Sequence, residues 1–170
     1  MDKAMQEVLD GLKLAIKAEN EGQYFYKMAA QSTSDPKGKE VFNELAEEER
    51  LHESYLVKHF NSLKNTGLLD ATVTLPEQSA FSEPHPIFSE KIQERIEDAH
   101  FEMTSLAVGI QLELNAINHY KAQAEKATST EAKAFFVRLA EWEQTHYDTL
   151  SNQQEKLKEA YWTANSFSPF

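Results

Sequence analysis

The chain repeats itself at a spacing of 94 residues, and this limits the possible folds more than any other feature. Setting residues 14–60 against 108–154 gives 13 identities in 47 pairs, all without a gap. Ordinary residue frequencies would give about three. Shared composition explains paired Leu and Ala. It does not explain Glu19/Glu113, Tyr26/Tyr120, Glu49/Glu143 and His52/His146 falling at one offset. The chain is read as a duplicated unit.

Each copy reads as two helices. The first carries Val8, Leu9, Leu12, Ala15, Ile16, Glu19, Gln23, Tyr26 and Ala30 on one stripe. The second carries Val41, Phe42, Leu45, Glu49, His52, Leu56, Phe60 and Leu63. The later pair repeats the pattern, with Leu106, Ile110, Glu113, Ile117, Tyr120 and Ala124, then Phe135, Phe136, Leu139, Glu143, His146, Leu150 and Leu157. Steps of three and four residues place each set on one helical face. Asp35-Pro36 offers an N-cap followed by proline at the first helical position. Thr128-Ser129-Thr130-Glu131 offers a capping box. Both links are short, so each pair is an antiparallel hairpin.

Breakers are scarce elsewhere. Of five prolines, Pro76, Pro84 and Pro86 cluster in the segment that joins the two copies. A loose linker there would leave both apolar stripes uncovered. The expected architecture is therefore all-α, one domain over residues 1–170. It is a four-helix bundle of two repeated hairpins (about 3–64 and 90–162) joined by a long crossover (about 65–89). The third helix is expected to begin near Glu90. With 41% hydrophobic residues, the chain has enough apolar material for such a core.

Six ionisable residues fall on these apolar stripes: Glu19, Glu49, His52, Glu113, Glu143 and His146. Burying an uncompensated carboxylate costs several kcal/mol, and no Lys or Arg occupies a neighbouring stripe position. Their heights agree. Glu19 and Glu113 stand 16 residues before their hairpin turns, and Glu49 and Glu143 stand 14 after them. At 1.5 Å per residue these are levels of about 20–24 Å on both sides of each turn. Glu-x-x-His turns two ligands to one face, and two such motifs with two further Glu form the ligand set of dimetal carboxylate bundles. Four carboxylates balance two divalent ions. Mixed oxygen and nitrogen ligation suits two Fe ions, with Mn or Zn as further options.

Tyr26 and Tyr120 lie two turns beyond Glu19 and Glu113, on the same face. They are candidates to hydrogen-bond the carboxylates or to act in redox chemistry. His59 reads as a bundle-end residue, His119 as facing an interface or solvent, and His85 and His100 carry no signal. In the run Glu47-Glu48-Glu49-Arg50, only Glu49 is assigned to the stripe, and its neighbours to a solvated face. Trp142 and Trp162 read as packing.

These residues resemble a rubrerythrin-like member of the ferritin-like superfamily, lacking a rubredoxin domain. The likeness rests on Ala-Ile-Lys-Ala-Glu19-Asn-Glu-Gly-Gln-Tyr-Phe-Tyr26, on Glu44-Leu-Ala-Glu-Glu-Glu49-Arg-Leu-His52, and on their counterparts around Glu113 and Glu143-Gln-Thr-His146. It implies a ferritin-like bundle and a di-iron oxidoreductase that reduces peroxide or dioxygen. Glu19 and Glu113 would be terminal ligands, Glu49 and Glu143 bridges, and His52 and His146 would each bind one metal. The chain departs from the family in three ways. It has no cysteine for a rubredoxin-type iron site, so its electrons would come from an external donor protein. Ala116 stands where rubrerythrins carry an additional Glu. The crossover is longer than in compact members. Where bacterioferritins place the haem-binding Met, this chain has Arg50.

The remaining sequence narrows the partners. A net charge of −11 disfavours a phosphate backbone, so no nucleic acid is expected. No apolar run approaches the ~20 residues of a membrane span, and the first residues lack a signal-peptide core. A cytoplasmic location is expected. Leu68, Leu69, Val73, Leu75, Phe81, Ile87 and Phe88 would give an apolar surface for a homodimer, with exchange of hairpins across the crossover as one route. The alternatives are an iron-binding ferroxidase without peroxide turnover and a metal-free structural bundle.

Overall fold

Two side-chain caps set where the hairpins turn. Asp35 accepts a hydrogen bond from the Gly38 amide at 2.8 Å, with Pro36 in the first helical position. Ser129 accepts from the Ala132 amide at 3.0 Å. This cap sits one residue later than the capping box read from Thr128, and the third helical residue is Ala132, which has no side chain to reciprocate.

The computed structural model describes residues 3–75 and 86–166, with Gln93 by its backbone only. Its helices are α1 (Lys3–Ser32), α2 (Pro36–Thr66), the single turn α3 (Lys91–Glu94), α4 (His100–Lys126) and α5 (Thr130–Ala164). No strand occurs among the described residues. The chain is a ferritin-like four-helix bundle. Helices α1 and α2 pack as one hairpin and α4 and α5 as the other, with α1 against α4 joining them. Helix α2 stops at Gly67, whose φ of 77° is the left-handed conformation and whose amide closes on Leu63 at 3.0 Å. None of the described helices is long and apolar enough to cross a membrane.

The core forms two apolar clusters. One holds Tyr26, Phe42, Leu45, Leu106 and Leu150, and the other holds Leu12, Leu56, Tyr120, Phe136 and Leu139. The six ionisable stripe residues are absent from both. The flanks of the crossover lie at opposite ends of the bundle. Leu69, Val73 and Leu75 pack against the second cluster, while Ile87 and Phe88 are buried in the first. Pro76, Phe81, Pro84 and His85 lie outside the described residues.

Two expectations are corrected here. Ile87 and Phe88 are 1% and 3% exposed, so they do not contribute to an apolar outer surface. Phe88 sits directly on α2, where a Cβ on Gly38 would come within 2.6 Å of its ring. The third long helix starts at His100 rather than near Glu90. The reason is length. His100 precedes Glu113 by 13 residues, as Pro36 precedes Glu49, so both helices begin level with the first hairpin turn. Extending α4 back to Glu90 would carry it about 15 Å past that end. Instead the chain bends at Arg95 (φ −124°, ψ 33°) and folds Ile92, Ile96 and Ala99 across the end of the bundle. Arg95 then reaches the buried Glu102 at 3.3 Å, which also accepts from Thr33 at 3.0 Å.

Candidate metal centre

All six residues picked out by the stripes meet in one layer between the apolar clusters. Helix α1 supplies Glu19, α2 supplies Glu49 and His52, α4 supplies Glu113, and α5 supplies Glu143 and His146. Each is at most 3% exposed, so water does not screen their charges. They form two sets. Glu19, Glu49, His52 and Glu143 each offer one ligand atom, all within 4.8 Å of one another; Glu49, Glu113, Glu143 and His146 do the same. Glu49 and Glu143 belong to both.

Each histidine turns Nδ1 toward this layer. His52 Nδ1 lies 3.2 Å from Glu143, 3.3 Å from Glu19 and 3.4 Å from Glu49. His146 Nδ1 lies 3.4 Å from Glu49, 3.5 Å from Glu143 and 3.8 Å from Glu113. The two rings stack at 5.4 Å with an interplanar angle of 10°.

The electrostatics follow from four buried carboxylates facing two imidazoles. Burial and the neighbouring Glu143 and Glu49 push Glu19 well above the usual carboxylate range. Burial and Glu49 push Glu113 up to about 8. Burial acts to raise Glu49 and Glu143 too, but it is outweighed, at Glu49 by a hydrogen bond with Glu19 and then by both histidines, and at Glu143 by both histidines, so these two are held low. Burial alone would lower the imidazoles; the surrounding carboxylates raise both His52 and His146 instead. Protons thus neutralise the cluster in the absence of a cation.

The donor set fits a pair of divalent cations. Glu49 Oε1 and Glu143 Oε1, on the two carboxylates common to both sets, are buried and accept no aligned hydrogen bond, although His146 Nδ1 and His52 Nδ1 stand 3.4 and 3.2 Å away. Native proteins rarely leave such atoms orphaned. A cation in each set would coordinate them.

The tyrosines cross between hairpins. Tyr26 of α1 donates to Glu113 of α4, and Tyr120 of α4 donates to Glu19 of α1. Burial, followed by the adjacent carboxylates, raises both hydroxyls well above their ordinary range. They remain protonated donors.

Glu48 does not lie on the solvated face expected from its charged run: it is 6% exposed and lies 2.5 Å from His146 Nε2. The spacing held the signal, since Glu48 follows Leu45 by three residues and precedes His52 by four. Glu47, one residue earlier, is exposed and pairs with Arg50. Trp142 does more than fill space: its ring centroid is 3.7 Å from that of His52. His119 bonds the Gly11 carbonyl at 3.0 Å, tying α4 to α1 rather than facing solvent. His59 is buried apart from the cluster, against Tyr55 and Phe135. His100 is exposed and Trp162 half-buried.

A cleft of about 280 Å³ between α1 and α4 reaches the layer. Glu19, Glu49, Glu113 and Glu143 line it, with Ala116 and His119 beside them. A family model described as Rubrerythrin matches residues 10–154. No curated protein and no solved structure matches the chain.

Proposed function

Because this chain belongs to the rubrerythrin family, we propose that the buried layer is a di-iron centre at which peroxide or dioxygen is reduced. The observation that carries this reading is the pair of four-residue sets sharing Glu49 and Glu143. Glu19, Glu49, His52 and Glu143 would hold one ion, and Glu49, Glu113, Glu143 and His146 the other. Two ferrous ions would together supply the two electrons that, with two protons, take a peroxide to two waters.

The protein's part is to position, to exclude water and to admit a small oxidant. Tyr26 and Tyr120 orient the terminal carboxylates and leave their second oxygens facing inward. The apolar clusters on either side keep bulk water out. The α1–α4 cleft gives a diatomic oxidant or peroxide a route to the carboxylates. Ala116 lines that cleft with a methyl group and adds no ligand. With no cysteine in the chain, reducing equivalents would come from an external donor protein. A homodimer and a cytoplasmic setting complete the reading.

The test is elemental analysis of protein expressed with iron and never exposed to chelator, followed by anaerobic peroxide consumption. About two Fe per chain and repeated turnover with a reductant support the proposal. A second reading, oxidation of iron without peroxide turnover, draws on Ala116, which supplies no additional carboxylate. It predicts one round of oxidation and then arrest. A folded protein that refuses Fe, Mn and Zn would leave only a structural bundle.

A further inference from the structure

The duplication is nearly symmetric about the centre, and it fails at one informative place. Glu48 and Trp142 occupy the same position in the two copies, each immediately before a shared carboxylate. Each lies beside the histidine of the opposite hairpin. Glu48 of α2 is 2.5 Å from His146 Nε2 on α5. Trp142 of α5 lies against His52 of α2, with the rings tilted at 58°. His52 Nε2 is buried with no hydrogen-bond partner, and so is Trp142 Nε1. One histidine is backed by a carboxylate and the other by an indole.

The chemistry of the two backings differs. A carboxylate accepts the Nε2 proton, fixes the tautomer with its lone pair on Nδ1, and makes that nitrogen the stronger donor. An indole has no lone pair to offer, since its N–H only donates. Trp142 restrains the His52 ring by contact and does nothing for its basicity. The Glu48 carboxylate lies within 4.8 Å of a ring nitrogen of each histidine, but its direct 2.5 Å contact is with His146.

We propose that the two halves of the centre hold metal unequally. The His146 set, backed by Glu48, takes the first divalent ion, and the His52 set, backed by Trp142, binds its ion more weakly and releases it first. This rests on the metal-centre reading above. Glu48 acts as a positioning residue for His146, and loss of such a partner typically lowers metal affinity about 10–100-fold.

Repulsion between two ions would separate the binding steps even in a symmetric site, so the test isolates each half. His52→Ala and His146→Ala chains, each retaining one complete set, are titrated anaerobically with Co(II) and followed by calorimetry. The His52→Ala chain should bind one ion about 10–100-fold more tightly than the His146→Ala chain. Adding Glu48→Gln should weaken binding by a similar factor in the first background and leave the second unchanged. Equal affinities in the two chains, or equal weakening by Glu48→Gln in both, would overturn the proposal. Should a histidine variant lose its helical circular dichroism, wild-type crystals grown with one Co(II) per chain put the same question. Anomalous signal confined to the His146 set supports the inequality, and equal signal at both sets refutes it. Wild-type protein that binds no ion at all would bring down the metal-centre reading itself, a result distinct from binding at two equivalent positions.

Discussion

Tyr26 on the first hairpin donates its hydroxyl proton to Glu113 on the second, and Tyr120 returns the same bond to Glu19. Each buried carboxylate is therefore held by the half of the chain that does not carry it. Removing one partner so that a buried acceptor is left unsatisfied costs about 1–3 kcal/mol. Tyr26→Phe should lower the unfolding free energy of the metal-free protein by about 1–3 kcal/mol and leave its helicity intact. Urea denaturation in the presence of chelator measures this, and an unchanged midpoint would show that the bond does not tie the hairpins together.

The adjacent residues Glu47 and Glu48 should behave as opposites. Glu47 is exposed and pairs with Arg50, so Glu47→Ala should cost no more than about 1 kcal/mol and leave metal content unaltered. Glu48→Ala removes a buried partner of His146 and should reduce retained metal after dialysis. Elemental analysis of the two variants side by side decides it; matching losses would place Glu48 back on the surface.

His52→Ala removes a ligand from one set and none from the other. It should retain about one metal per chain and lose multiple turnover, because a single ion cannot deliver the electron pair. Retention of two ions with full peroxide consumption is the outcome that sinks the assignment.

Metal-free stability should depend on pH with a definite sign. Glu19, Glu113, His52 and His146 all bind protons more tightly in the folded chain, so their contribution is lost as pH rises. Glu49 and Glu143 are held low, and their contribution is lost as pH falls. Between the ordinary histidine value of 6.5 and the Glu113 value of about 8, the four cluster terms that change all weaken the fold, against a single opposing term from His59, which burial holds low. With chelator, the Tm should fall across that interval. With Mn(II), cations replace those protons, and the decline should flatten or reverse. Calorimetry at both conditions checks the sign, and a metal-free Tm that climbs from pH 6.5 to 8 would contradict it.

Gly38→Ala offers a test of the bundle end. Alanine favours a helix by about 1 kcal/mol over glycine, but its Cβ would meet the Phe88 ring at 2.6 Å. Displacing that ring should win, with a net loss of about 1–3 kcal/mol. Metal content should be unaffected, because the substitution lies at the hairpin turn. A stabilised variant would mean that Phe88 moves freely.

Much of this is legible in the sequence. Glu19, Glu49, His52, Glu113, Glu143 and His146 declared themselves because an acid on an apolar stripe needs a reason, and because counting residues to the turns put all six at one height. Asp35 and Pro36 marked the start of α2 for equally local reasons. What escaped depended on the other hairpin. Glu48 looks like part of a charged run until α5 brings His146 against it. Ile92, Ile96 and Ala99 keep helical spacing, yet the chain bends at Arg95 because the bundle ends there. Trp142 read as filler, since its contact with His52 is made across helices.

The placement of the ionisable layer between two apolar clusters also decides how the helices can slide. Moving one hairpin along the other by a single turn, about 5.4 Å, would push Glu19 or Glu143 among Leu, Phe and Tyr side chains and pull Ala15 or Leu150 into the ring of carboxylates. Both halves of such a shifted arrangement are penalised at once. The four helices, each able on its apolar face to accept many alignments, are left with one.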